Sequence, residues 1–378
     1  MIYFDNSATS RPKPNEVVNA VVLGLTTYCT NPGRSGHFLA MNASKKVEEI
    51  RLATLDFVGA DENFACVFTH NCTQALNLAI LGIAKQGDHF ICTENDHNSV
   101  LRPLFELEAR GIITVSVASC NNNGFITDKE IEPLIKENTK AVIANHISNV
   151  NGDECDIKSV GELCKNRNII FVVDAAQSAG HKALEMINNN ISMLALAGHK
   201  GLLGPQGIGS LIFNKSCKPN AIVFGGTGTS SLNLRQPNEI PDSLESGTIA
   251  LPNILGFGAG IELVKNNFKE IKNILESLTE HALIQLSTLP EVTIKTNMLS
   301  VNGVISFEVK GMDSVYIAQM LSDNYKICVR PGYHCAPLKH KALGSEKDGL
   351  VRISFSYANT HSEINYFIKS LKNIINGF

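Results

Sequence analysis

The sequence has ten cysteines in 378 residues but no Cys-x-x-Cys pair. The scatter of Cys29, Cys66, Cys72, Cys92, Cys120, Cys155, Cys164, Cys217, Cys328 and Cys335 argues against a zinc site and against a disulfide framework. Reduced cysteines of this kind serve as small apolar residues, and at most one or two are expected to be reactive. No apolar window is long enough to span a membrane, and the longest runs are strand-sized. Acidic Asp5 precedes any apolar run, so no secretory signal peptide is expected, and the expected compartment is the cytoplasm. A formal net charge of -3 gives no electrostatic case for nucleic acid or an anionic membrane, and neither is expected as a partner. The turn after the first large-sheet strand, Thr69-His-Asn-Cys-Thr-Gln, lacks glycine, which removes a dinucleotide site of the G-x-G-x-x-G type. Internal repeats and low-complexity segments are also missing.

What is present is an ordinary globular composition, 44% hydrophobic and 18% charged, in a chain long enough for one large and one smaller domain. An extended arm, Tyr3-Phe-Asp-Asn-Ser-Ala-Thr-Ser10, is followed by Pro12 and Pro14, and a helix is expected from Pro14 to about Thr27. Thr30-Asn-Pro-Gly-Arg-Ser-Gly-His37 is turn-rich. From about residue 40 to 215 strands alternate with helices. Helices are expected over Ala43–Gly59, Thr73–Lys85, Ser99–Arg110, Asp128–Glu137 and Ile157–Asn166. Strands are expected over Ala65–Thr69, His89–Thr93, Ile112–Ala118, Ala141–His146, Ile169–Asp174 and Met193–Ala197. The strands are continuous apolar runs, as buried parallel strands are, so the fold class is α/β with a doubly wound, mainly parallel sheet. After Phe213 the pattern loosens. A helix of mixed pattern, Asn253–Leu286, leads into strands and helices that make a smaller α+β domain. The expected division is an arm over 1–14 packing with the small domain, a large domain over 15–250 and a small domain over 251–378.

In such sheets ligands bind at the carboxyl ends of the strands, and polar residues gather there. An apolar strand runs straight into Gly198-His199-Lys200, with further glycines at 201, 204, 207 and 209. A lysine in that place is desolvated, and a neutral amine forms a Schiff base with an aldehyde. Asp174 ends another strand, Gln177 follows three residues later, and His97 and the Asn71-Cys-Thr73 helix start lie on further strand ends. Pyridoxal phosphate needs these groups together: a lysine for its aldehyde, a carboxylate for its ring nitrogen, a stacking ring, and free N–H groups for its phosphate.

Asp174-Ala-Ala-Gln177, Gly198-His-Lys200 and Gly204-Pro-Gln-Gly-Ile-Gly209 resemble the class V aminotransferase superfamily of fold-type I pyridoxal enzymes. Arg330-Pro-Gly-Tyr-His-Cys335-Ala-Pro narrows the resemblance to cysteine desulfurases and selenocysteine lyases with a short cysteine-bearing loop. The arm, Asn31-Pro-Gly-Arg-Ser-Gly-His37 and Val351-Arg352-Ile-Ser agree with it, so it covers essentially the whole chain. The resemblance implies that Lys200 is the Schiff-base lysine, that His97 stacks on the ring, and that Asp174 pairs with the ring nitrogen. Gln177 and Asn149 would contact the ring or substrate, and Cys72, Thr73 and His199 the phosphate. Arg352 would hold the substrate carboxylate through its planar fork, with Arg330, Arg34 and His37 at the entrance. Thr248 would reach the phosphate of a neighbouring subunit, which implies a homodimer.

Two positions depart from the family pattern. Ala197 stands where many relatives carry a hydroxyl for the phosphate, and Asn71-Cys72-Thr73 replaces a Gly-Thr-Thr-like turn. The implied reaction takes sulfur from L-cysteine, leaves L-alanine, and forms a persulfide on Cys335 for delivery to an acceptor protein or thiol. His334 and Arg330 are candidates to favour the Cys335 thiolate. A selenocysteine lyase acting on L-selenocysteine would share every pyridoxal residue. A class V aminotransferase or epimerase would need no cysteine.

Overall fold

The computed structural model describes residues 1–33 and 35–377. After the short strand β1 (Ile2–Tyr3) come α1 (Asn15–Thr26), α2 (Phe38–Phe57), β2 (Phe64–Thr69), α3 (Cys72–Ile83), β3 (Asp88–Thr93), α4 (Asn98–Ala109) and β4 (Ile113–Ala118). The alternation continues through α5 (Asp128–Ile131), β5 (Thr139–Asn145), α6 (Ile157–Asn166), β6 (Ile170–Asp174), β7 (Met193–Ala197) and β8 (Gly209–Asn214). Seven of these strands form one sheet in the order β2-β8-β7-β6-β5-β3-β4. β8 runs antiparallel to both neighbours, so the apolar runs are not all parallel; the remaining pairs are. The carboxyl ends of β2, β3, β5, β6 and β7 therefore meet along one edge, at Thr69, Thr93, Asn145, Asp174 and Ala197. The start of β8 reaches the same edge, where Gly209 is opposite both Thr69 and Ala197.

Helices cover both faces of this sheet, which is why its central strands are apolar on both sides. One face buries Val47 and Ile50 of α2, Val160 and Cys164 of α6, and Ile254 and Phe257 further along the chain. The other buries Leu76 and Ile80 of α3 with Val100 and Leu104 of α4.

The remaining elements are α7 (Leu251–Ser287), β9 (Val292–Ile294), β10 (Val304–Val309), α8 (Ser314–Tyr325), β11 (Ile327–Cys328), α9 (Pro337–Ala342), β12 (Val351–Ser354) and α10 (His361–Asn376). β12-β10-β9 make a second, antiparallel sheet. α7 is continuous apart from non-helical Asn267 (φ -117°). Its first turns bury Ile254 and Ile261 against the large sheet, while Ile271, Leu275 and Leu278 join the second core with α8 and α10. The arm enters that second core too. β1 pairs with β11, and Phe4 is fully buried, edge-on to Phe355 and Phe367 at centroid distances of 5.1 and 5.9 Å.

Several boundaries differ from the sequence pattern for local reasons. α2 begins at Phe38 rather than Ala43, because the His37 side chain accepts a hydrogen bond from the Ala40 N–H and caps the extra turn. The helix expected over 128–137 stops at Ile131, where Pro133 lies in a 3₁₀ turn over Glu132–Leu134. β9 and α9, three and six residues long, are too short to show a period. Among the described residues no helix is long and apolar enough to cross a membrane.

Candidate active site

Lys200 sits one turn beyond β7, and its backbone is fixed from several directions. Gly204 N–H donates to the Gly198 carbonyl at 2.8 Å, closing the loop. A Cβ at Gly201 would lie 2.2 Å from the Ala179 carbonyl oxygen, so only glycine permits that approach. The carbonyl of His199 is gripped by the N-terminal arm: Lys13 Nζ lies 2.8 Å away, Ser10 N–H 3.0 Å and Ser10 Oγ 3.1 Å. Burial lowers the proton affinity of Lys200, and Asp174 only partly opposes it.

A cavity of about 190 Å³ opens at this edge of the sheet. Of the residues expected at a pyridoxal site, Cys72, Thr73, His97, Asn149, Asp174, Gln177, His199 and Lys200 all line it, as does Ala197. Asp174 is buried, which raises its pKa, while one oxygen accepts the Ala176 N–H at 2.9 Å and faces Cys72 Sγ at 3.6 Å. Burial pushes the Cys72 thiol well up, so it is a protonated thiol rather than a thiolate. His97 Nδ1 accepts the Ser99 N–H at 3.1 Å, which fixes the ring as the cap of α4. Burial and the nearby Lys200 charge push its pKa down to about 4, so the imidazole is neutral. α3 begins at the cavity wall with Asn71 as its cap. A Cβ on Gly209 would stand 2.8 Å from Cys72 N, so the glycine lets β8 pass close beneath that helix start.

Three residues found here were missed in the sequence. Ser99 lines the cavity and its hydroxyl lies 2.8 Å from Thr73 Oγ1, so two hydroxyls lie side by side in the cavity lining that also includes Ala197. Its signal was available: it is the second residue of a helix that starts directly after His97. Asn145, at the end of β5, also lines the cavity. Asp5 is the third, and it acts on Arg352.

Arg352 is fully buried, and its fork is not free as the sequence reading supposed. Nη1 donates to the Asn149 carbonyl at 2.8 Å, and Nη2 donates to Asp5 Oδ1 at 2.7 Å. Among the described residues its Nε has no partner, and two cavity atoms share that condition, Asn149 Oδ1 and His199 Nδ1. These three atoms are free to bond a ligand that reaches them, although buried atoms without a partner also occur away from the cavity, at Ser243 Oγ and Ser300 Oγ for example. Burial lowers the Arg352 pKa to about 10, which leaves it charged at neutral pH.

The cysteine-bearing turn is hydrogen-bonded to this region. Cys335 is exposed, with Arg330 Nη2 3.8 Å from its sulfur. Its carbonyl accepts the Asn98 N–H at 2.8 Å, one residue after His97, and the His334 carbonyl accepts Asn149 Nδ2 at 2.6 Å. The expectation that His334 favours a thiolate is not met. The ring is buried and hydrogen-bonded inside its own loop, and its pKa is pushed down to about 2, so it carries no charge to offer. Two other expected residues lie away from the cavity of their own chain. Exposed His37 caps α2, and exposed Thr248 lies beside the segment from Phe68 to Gln74. Arg34 lies outside the described residues.

The residues fit pyridoxal phosphate: a lysine, a buried carboxylate and a neutral imidazole share a cavity with a helix start, two hydroxyls and two unpartnered polar atoms.

Comparison with known proteins gives the same placement. The family model for class V aminotransferases matches residues 2–367. A probable cysteine desulfurase of Borreliella burgdorferi is 34% identical over 99% of this chain and 92% of its own length. One from Methanothermobacter thermautotrophicus is 30% identical over 99% of this chain and 94% of its own length. The apo structure of a cysteine desulfurase from Thermococcus onnurineus superposes with a TM-score of 0.92 at 33% identity, covering 100% of this chain and 95% of that one. The chain belongs to the class V aminotransferase family, as a full-length relative of its cysteine desulfurases.

Proposed function

We propose that this protein is a pyridoxal-phosphate-dependent cysteine desulfurase that converts L-cysteine to L-alanine and carries the sulfur as a persulfide on Cys335. One observation carries the choice of chemistry. The turn bearing Cys335 is bonded to cavity-lining Asn149 and to Asn98, which lies between cavity-lining His97 and Ser99, with Arg330 beside the thiol. An aminotransferase or epimerase has no use for a cysteine held there.

When bound, pyridoxal phosphate supplies an electron sink for charge that develops at the substrate Cα. Lys200 is the residue that holds it and, with its proton affinity lowered by burial, the base that moves the Cα proton. From its buried place at the end of β6, Asp174 would pair with the ring nitrogen and favour its protonated form, and neutral His97 would serve as the stacking ring. Gln177 and Asn149 serve the ring or substrate edge. Thr73, Ser99, His199 and the free N–H groups at the start of α3, Cys72 included, would hold the phosphate. Arg352 receives the substrate carboxylate through Nε, while Asp5 and the Asn149 carbonyl hold the rest of the guanidinium in place. Cys335, as a thiolate, attacks the substrate sulfur: an S–S bond forms as the Cβ–S bond breaks, and Cβ then gains the proton that makes the alanine methyl group. Exposed Cys335 hands that sulfur to an acceptor protein or thiol.

The reading extends to a cytoplasmic homodimer in which Thr248 serves the partner's phosphate, with Arg330, Arg34 and His37 at the entrance. Within each chain the proposed division is an arm over 1–14, a cofactor domain over 15–250 and a small domain over 251–378, with the first turns of α7 shared. A selenocysteine lyase is the second reading, because every pyridoxal residue would be common to both.

The test is to assay alanine and sulfide release from L-cysteine beside alanine and selenide release from L-selenocysteine. Borohydride reduction and peptide mapping of the yellow protein complete it. Turnover of L-cysteine with the cofactor label on Lys200 supports the desulfurase. Turnover of L-selenocysteine alone favours the lyase, and a label on another lysine overturns the site.

A further inference from the structure

The turn that carries Cys335 is built in an unusual way. His334 and Cys335 both have left-handed backbones, with φ of 47° and 59°, and neither is a glycine. Two consecutive side-chain-bearing residues adopt that conformation only where their surroundings hold them. Both carbonyls are tied to the large domain through Asn149 and Asn98, the flanking backbone is bonded at Gly332 and Ala336, and the His334 side chain adds a constraint of its own. That ring is 2% exposed and faces His340, which is 1% exposed, across a stacked contact of 5.4 Å between centroids.

The hydrogen bonds along these rings allow one assignment of protons. His334 Nε2 lies 3.2 Å from the Arg330 carbonyl, which only accepts, so Nε2 carries the hydrogen. In a neutral ring Nδ1 is then an acceptor, and its neighbour at 3.3 Å is His340 Nε2, which must donate. His340 Nδ1 is left to accept, and Ser345 Oγ lies 2.8 Å from it. The relay runs from the Ser345 hydroxyl through His340 and His334 to the backbone of Arg330, whose guanidinium stands beside Cys335 Sγ. His340 itself is anchored. The preceding residue, Lys339, is 2% exposed and pairs with Asp153 at 2.7 Å, and Glu94 lies 3.6 Å away at the end of β3.

We propose that His340 is a positioning residue for sulfur transfer, which locks the His334–Cys335 turn through the relay and so holds the thiol beside Arg330. The proposal rests on the desulfurase reading for its kinetic consequence but not for its structural one. The desulfurase therefore works from a fixed cysteine: substrate sulfur comes to the thiol, and the acceptor comes to the turn.

Four proteins test this: wild type, His340→Ala, His340→Gln, whose side-chain amide offers a donor near the Nε2 position, and Ser345→Ala. In His340→Ala, amide hydrogen exchange at Gly332 and Ala336 is expected to rise at least tenfold, because the Ala336 N–H is bonded to the Tyr333 carbonyl within the turn and the Gly332 N–H ties the turn to the Leu350 carbonyl. Alanine formation from L-cysteine is expected to lose at least tenfold in kcat with KM within threefold. Cofactor absorbance and L-selenocysteine turnover should stay within twofold. His340→Gln should recover kcat to within about threefold of wild type, and Ser345→Ala should show a smaller loss in the same direction. Should His340→Ala fail to fold, the glutamine and serine variants carry the same comparison. Unchanged exchange and L-cysteine turnover would overturn the proposal, as would equal losses on both substrates. If the wild type releases no alanine from L-cysteine, the desulfurase reading fails instead, and the exchange measurement still decides the relay.

Discussion

At the scale of single residues, Ala197 and Arg352 carry the clearest consequences. Ala197 brings no hydroxyl to the cavity, but Thr73 and Ser99 bring two, 2.8 Å apart. A hydrogen bond to a charged group contributes roughly 1.5–3 kcal/mol, or about 10- to 100-fold in binding. Ser99→Ala should therefore speed cofactor loss during dialysis about tenfold or more, while Ala197→Ser should change it less than about threefold. The reverse pattern would mean that the phosphate lies against Ala197 and lacks a donor there. Arg352→Lys replaces a fork with a point charge and also abandons Asp5 and the Asn149 carbonyl. Its KM for L-cysteine should rise roughly tenfold or more, with kcat changed far less. Steady-state kinetics check this, and unaltered constants would transfer the carboxylate anchor to Arg330.

At the scale of elements, the segment that carries Thr248 is held to the large sheet by a nearly buried ion pair. Glu245 accepts Arg51 Nη1 at 2.8 Å and Nη2 at 3.1 Å, and also the Phe68 N–H at 2.6 Å. Breaking such a pair from one side costs about 3–5 kcal/mol. Glu245→Ala should lower the denaturant midpoint accordingly, and a loss below about 1 kcal/mol would mean that water replaces the carboxylate. Nothing in the sequence marks this pair, because its partners are 194 residues apart. The alternating strands and helices, by contrast, were legible, since each carries its own apolar period. The strand-end residues were legible for the same reason: once β6 and β7 are placed, Asp174 and Lys200 must share an edge. The direction of β8 was not legible, because an apolar run reads the same both ways. Nor was the occupation of the Arg352 fork by Asp5, a contact that folding alone creates between the arm and β12.

At the scale of the whole molecule, the arm ties the second core to the catalytic edge. Phe4 is buried beside α10, Asp5 holds Arg352, the Ser7 carbonyl accepts from Gln177 Nε2 at 3.2 Å, and Ser10 and Lys13 hold the carbonyl before Lys200. Thr248 is exposed in its own chain, and in the proposed homodimer it would reach the partner's phosphate. Thr248→Ala should weaken cofactor retention in the dimer without changing the sedimentation profile, and identical retention would argue against a shared site. The central claim is that Cys335 takes the sulfur, and one measurement addresses it directly. Wild type and Cys335→Ala are mixed with L-cysteine, stopped during turnover, and mapped by mass spectrometry while alanine is counted. The account predicts one extra sulfur on the wild-type peptide containing Cys335, and almost no alanine from the variant, which stays yellow and still turns over L-selenocysteine. Full alanine release by Cys335→Ala, or the extra sulfur on another cysteine such as Cys72, would contradict it.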